Sequence, residues 1–129
     1  MTKPAGEFNY NVVPPVDALK TVVKKTEFAK GVTAIMDPIE PTKVFATDDI
    51  VFFIGNGDFG RFSWLQAEWV TDENELIQDC SKLIVVDENL TSDRFYFSCS
   101  VDGGWTTGTH TLRLTVDDVV VTEETFTVE

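Results

Sequence analysis

Apolar and polar residues alternate most strictly near the end of the chain. From His110 to Val116, His110, Leu112, Leu114 and Val116 share one face, and Thr111, Arg113 and Thr115 take the other. A period of two marks a β-strand with one dry face and one wet face. Asp117-Asp118 interrupts the run with side chains that bond to nearby backbone in tight turns. Val119–Val128 follows, rich in the β-branched residues that suit a pleated sheet, with Phe126 and Val128 on one face. The hairpin so defined has to bury Leu112, Leu114, Val116, Phe126 and Val128, and the residues that cover them must lie upstream.

Upstream, residues 1–18 read as a tether punctuated by Pro4, Gly6, Pro14 and Pro15. Phe8, Tyr10 and Val12 alternate inside it as a short edge strand would. Leu19–Lys30 carries a partial helical stripe, but Thr21-Val22-Val23 and Thr26 favour a strand. Val32–Met36 reads as a second piece, an edge strand that changes direction at Asp37-Pro38 and Pro41. The continuous apolar run Ile50–Ile54 predicts a central strand buried on both faces, and Asn56-Gly57 after it predicts a turn. Arg61–Val70 predicts a strand with Leu65, Ala67 and Trp69 toward the core. Its wetter face carries Phe62, Trp64, Gln66 and Glu68. After a turn at Asp72–Glu75, Leu76–Val86 and Arg94–Val101 flank the polar residues 87–93 as the arms of a hairpin, and Gly103-Gly104 turns the chain into its last strands. Short strands at this spacing predict an all-β sandwich of seven to nine antiparallel strands over residues 19–129.

The two cysteines fall on the arms of that hairpin. With Val86 opposite Asp93, Cys80 lies opposite Cys99, within reach of a disulfide that would stabilise by roughly 3 kcal/mol. The alternative is two free buried cysteines packing as small apolar residues. Two cysteines and one distant histidine do not make a zinc site.

Composition narrows the function classes. The chain has 129 residues, enough for one domain with its own core, and is rich in aromatics, with ten Phe and three Trp. Its net charge of −12 and its three arginines, Arg61, Arg94 and Arg113, argue against nucleic acid and anionic membrane surfaces. No apolar run is long enough for a membrane span. The first residues, MTKPAGEF, lack the basic start and apolar core of a signal peptide. The protein is therefore either cytosolic or begins after a removed leader.

Three stretches carry a family resemblance: PTKVFATDDIVFF (Pro41–Phe53), the strand ending in Trp69, and GWTTGTHTLRLTVDDVVVTEETFTV (Gly104–Val128). Together they resemble an immunoglobulin-like, lipoprotein-type domain of exported bacterial and archaeal proteins, through Pro41, Phe45, Asp49, Trp69, Gly104, Trp105, Gly108, Phe126 and Val128. The likeness covers about Thr26 to the C-terminus. It departs from the pattern at His110, where the family has Tyr, and in the long cysteine-bearing stretch Leu76–Val86. The resemblance implies an immunoglobulin-like sandwich in an extracellular, cell-surface or periplasmic setting. It carries no catalytic set and no cofactor, and it makes Trp105 a structural plug at the start of a strand.

Chemistry is sparse in the residues themselves. A lone histidine on an apolar strand face, as His110 is, reads first as a packed, hydrogen-bonded core residue. No Gly-x-Ser-x-Gly motif supplies a nucleophile to go with it. The acidic groups Asp48/Asp49, Asp117/Asp118 and Asp72/Glu73/Glu75 could hold calcium only if loops brought them together. Asn89-Leu90-Thr91 is a glycosylation sequon. The strongest functional lead is aromatic: Phe62 and Trp64, with Trp105 at a turn, as a patch for sugar rings or a protein. Against it stands cover by a neighbouring strand or by the tether. The sequence thus predicts a non-enzymatic interaction or spacer module, monomeric as an isolated domain. A carbohydrate-binding module is the alternative, and its partner would be a polysaccharide rather than a protein.

Overall fold

The computed structural model describes residues 18–129. The tether and its Phe8, Tyr10 and Val12 alternation lie outside the described residues. The strands are β1 (Val22–Val32), β2 (Pro38–Pro41), β3 (Val44–Phe45), β4 (Val51–Phe59), β5 (Trp64–Val70), β6 (Lys82–Val85), β7 (Leu90–Cys99), β8 (Gly108–Val116) and β9 (Val119–Val128). A single 3₁₀ turn, Gln78–Cys80, precedes β6. One sheet runs β2-β1-β4-β7 and the other β3-β9-β8-β5-β6. The fold is an all-β sandwich. Among the described residues every pairing between strands is antiparallel except β3 with β9, which run parallel through Val44↔Thr127 and Phe45↔Val128.

The β8–β9 hairpin forms as the alternation requires. Asp117 and Asp118 adopt φ of 49° and 70°, the left-handed pair of a tight hairpin turn. The inward faces of both sheets meet in an aromatic core. Phe28 of β1 lies 5.1 Å from both Phe53 of β4 and Phe126 of β9, and Trp69 of β5 meets Phe126 edge-on at 5.9 Å. Tilted and edge-to-face pairs of this kind add to the stabilisation from burying ring area. Leu65, Ala67 and Trp69 are all buried, as the sequence pattern required.

Several local expectations are corrected. Val32–Met36 is not a second strand: Thr33–Asp37 turns back on itself, with Met36 N–H donating to Thr33 O at 2.9 Å. The edge strand is Pro38–Pro41, where prolines cost little because the outer edge needs no N–H donor. Asn56-Gly57 is not a turn. Both residues sit inside β4, paired to β1 on one side and β7 on the other. Gly57 is there for close approach, since a Cβ on it would lie 2.1 Å from Val22 O. Arg61 and Phe62 precede β5 rather than belonging to it.

The cysteine hairpin is corrected as well. β6 pairs with β5 (Trp64↔Val85), and β7 pairs with β4 (Val51↔Cys99), so the two arms lie in opposite sheets. Residues 86–89 carry the chain across the sandwich instead of turning a hairpin. Cys80 and Cys99 are nevertheless disulfide-bonded, with Cα atoms 5.3 Å apart. The bond ties the 3₁₀ turn to the end of β7, across the sheets rather than between neighbouring strands.

Candidate recognition site

The end of the sandwich where β4 finishes and β5 begins is built by backbone bonds to side chains. Thr21 Oγ1 accepts from Gly60 N–H at 2.8 Å. Asn89 Oδ1 accepts from Leu19 N–H at 3.1 Å and from Arg61 N–H at 2.9 Å. Asp117 receives Ser63 Oγ–H on one oxygen at 2.8 Å and Trp64 N–H on the other at 3.0 Å. Phe62 N–H donates to Val86 O at 2.7 Å. Three separate segments, residues 19–21, 86–89 and the β8–β9 turn, are thereby pinned around the loop 60–63.

At the centre of this loop Phe62 has φ of 72°. A bulky side chain is rare in that region because its Cβ crowds the backbone. The ring points outward, 55% exposed, with the Arg61 guanidinium 5.5 Å from its centroid. Trp64 is half-buried beside it. The two rings line one groove of about 720 Å³ with Leu19, Lys20, Thr21 and Val121. Phe62 and Trp64 thus come together, although through a left-handed loop residue and not through strand alternation.

Trp105 does not join them, which corrects its place in the aromatic patch. It is buried, its indole N–H donates to Asp49 O at 3.0 Å, and its ring stands edge-on to Phe126 at 5.3 Å. Burial and that bond leave no ring face for a ligand, and Trp105 serves as a plug between the sheets.

His110 is buried, and both ring nitrogens bond to backbone. Nε2 faces Thr106 O at 2.8 Å, and Nδ1 accepts from Asp72 N–H at 3.2 Å. In that pattern Nδ1 serves as the acceptor and Nε2 as the donor. The acidic groups do not converge: Asp49 caps Ala46 N–H and pairs with Lys30, while Asp117 is engaged at the β5 start. Among the described residues no group of three or more His, Cys, Asp or Glu is placed to hold a metal ion. Among the same residues no helix is long and apolar enough to cross a membrane.

Sequence reasoning missed Asn89 and Thr21 as builders of this end. Asn89 stood out only as a sequon, and its bonds to residues 70 and 28 positions away leave no local signal. Fold and site together define an all-β sandwich module with a recessed aromatic groove at one end. No protein-family model and no curated protein matches this chain.

Proposed function

We propose that the chain is a non-catalytic interaction module of an exported or cell-surface protein, and that its recognition surface is the Phe62–Trp64 groove. The observation that carries this reading is Phe62 itself, an exposed bulky ring held at φ 72°. Backbone strain of this kind persists where its surroundings enforce it, and it concentrates at ligand clamps. The disulfide supports export, because such bonds persist in oxidising compartments. Burial of His110 and the use of both its nitrogens support a non-catalytic role.

The strand order supports the immunoglobulin-like reading. β1, β4 and β7 fall where strands A, B and E of such a sandwich lie, and β5, β8 and β9 where C, F and G lie. The parallel β3–β9 pair fits a first strand that crosses from one sheet to the other.

A second reading, carbohydrate binding, is favoured by the mixture in the groove. The Phe62 and Trp64 rings line it beside Lys20 and Thr21, which suits apolar contact with a sugar ring and bonds to its hydroxyls. Tryptophan fluorescence of the full chain, titrated with soluble glucans, xylans and galactans, tests it. A saturable change abolished by Phe62→Ala supports a saccharide ligand, and a flat response with every polysaccharide refutes it. The broader proposal is tested by passing envelope extract of the native host over immobilised wild-type and Phe62→Ala chains. Retention at least about tenfold lower on the variant is expected. Equal retention would contradict the assignment.

A further inference from the structure

Charge is unevenly spread over this molecule. The Phe62 groove shares Lys20, Thr21 and Val121 with a neighbouring hollow of about 500 Å³, so the two form one furrow. Among the described residues, the cations that line it are Lys20, Lys24, Lys25 and Arg61, and the carboxylates are Asp117 and Glu124. The whole chain has the opposite balance, 22 Asp and Glu against ten Lys and Arg. The furrow is therefore a local reversal of sign on an acidic protein.

Both carboxylates in it are already engaged. Asp117 receives Ser63 Oγ–H at 2.8 Å and Trp64 N–H at 3.0 Å. Glu124 receives Thr122 Oγ1–H at 2.8 Å and lies 3.8 Å from Lys43 Nζ. Lys24 shares its charge with Asp58, 3.2 Å away. Lys20 and Lys25 are exposed. A concave site lined by one sign of charge concentrates ions of the other sign. At physiological salt the protein's remaining charge acts weakly on it, because exposed charges are screened beyond about 8 Å.

We infer that the ligand of the Phe62 groove is an acidic polysaccharide, a uronate-bearing chain that lays a sugar ring against Phe62 and Trp64 and its carboxylates against Lys20 and Lys25. Its identity rests on the groove being a recognition site and narrows what that site takes. The two aromatic rings beside cations suit a ligand that brings an apolar ring surface together with negative charge. Lys20 to Lys25 follow the start of β1 into the second hollow, a path on the order of 15 Å. Cations spread along such a path match charge repeated down an extended chain better than a single phosphate. A lysine ammonium has three donors, enough for a carboxylate and a neighbouring sugar hydroxyl. A uronan carries one charge per acidic sugar, whereas nucleic acid needs a denser set of Lys and Arg than this −12 chain offers. An acidic peptide would supply the charge without a sugar ring for the Phe62 end.

Calorimetric titration of the full chain with polygalacturonate, alginate and hyaluronate tests it, with galactan and xylan as neutral counterparts and polyglutamate as a charge control. At least one uronan should bind at least about tenfold more tightly than either neutral chain or polyglutamate, and should weaken as salt is raised. Lys20→Gln/Lys25→Gln should lower that affinity about tenfold and flatten its salt dependence, and Phe62→Ala should lower it by a similar factor. All three side chains are exposed, so unchanged melting temperatures are expected of both variants and show that they are folded. No binding of any uronan, equal binding of neutral chains or of polyglutamate, or full uronan binding by either variant would overturn the proposal. The groove itself is judged separately, by the retention of envelope components that Phe62→Ala loses.

Discussion

Glycine does different work at different positions of this chain, and substitution separates the cases. A Cβ at Gly57 meets Val22 O at 2.1 Å, a backbone atom that cannot move without shifting β1. Gly57→Ala should therefore cost about 3 kcal/mol or more in urea unfolding. Gly103 has open space around it and only its φ of 81° to satisfy, so Gly103→Ala should cost about 1 kcal/mol. At Phe62 the backbone is left-handed as well, and Phe62→Gly should be more stable than Phe62→Ala by about 1 kcal/mol. Asp58 makes a pH prediction. A bond from Ser92 N–H at 3.0 Å, and then Lys24 at 3.2 Å, hold its carboxyl below the ordinary 3.8. A depressed folded pKa means that its contribution is present above 3.8 and lost as pH falls through the folded value. Asp58→Asn should flatten that acid-side loss, read as urea midpoints from about pH 5 downward. Trp69 was legible as core because its neighbours alternate. Gly57 was misread because Asn-Gly serves a hairpin turn and a close strand approach equally well.

The cysteine-bearing elements show how far local pattern reaches. β8 and β9 were legible because their pairing is local and their turn lies between two alternating runs. β6 and β7 are nearly as close in sequence but belong to different sheets, and nothing in residues 86–89 distinguishes a crossing from a turn. The bond Cys80–Cys99 closes a loop with a sequence separation of 19, so losing it should cost roughly 3 kcal/mol. Thermal unfolding with and without reductant, alongside Cys80→Ser/Cys99→Ser, measures this. The reduced wild type and the variant should melt together, well below the oxidised chain. No shift on reduction would mean that the crossing is held by packing alone.

For the whole molecule, the sandwich class was legible from strand spacing, but the sheet order was not. β4 pairs with β1 and β7, and β3 joins β9 in parallel from the far end of the chain, pairings fixed by core shape and not by local turns. The groove shares that origin: Phe62 and Trp64 were singled out by sequence, but Leu19, Thr21, Asn89 and Asp117 meet around them only once the sandwich closes. Recognition of a surface partner is the role proposed for this end. Its most direct test is retention of envelope proteins and polysaccharides on the immobilised full chain, compared with Phe62→Ala at equal folded concentration. A component held by the wild type should be lost by the variant. If both chains retain the same components equally, or neither retains any, the groove is not a recognition surface and the module acts as a spacer.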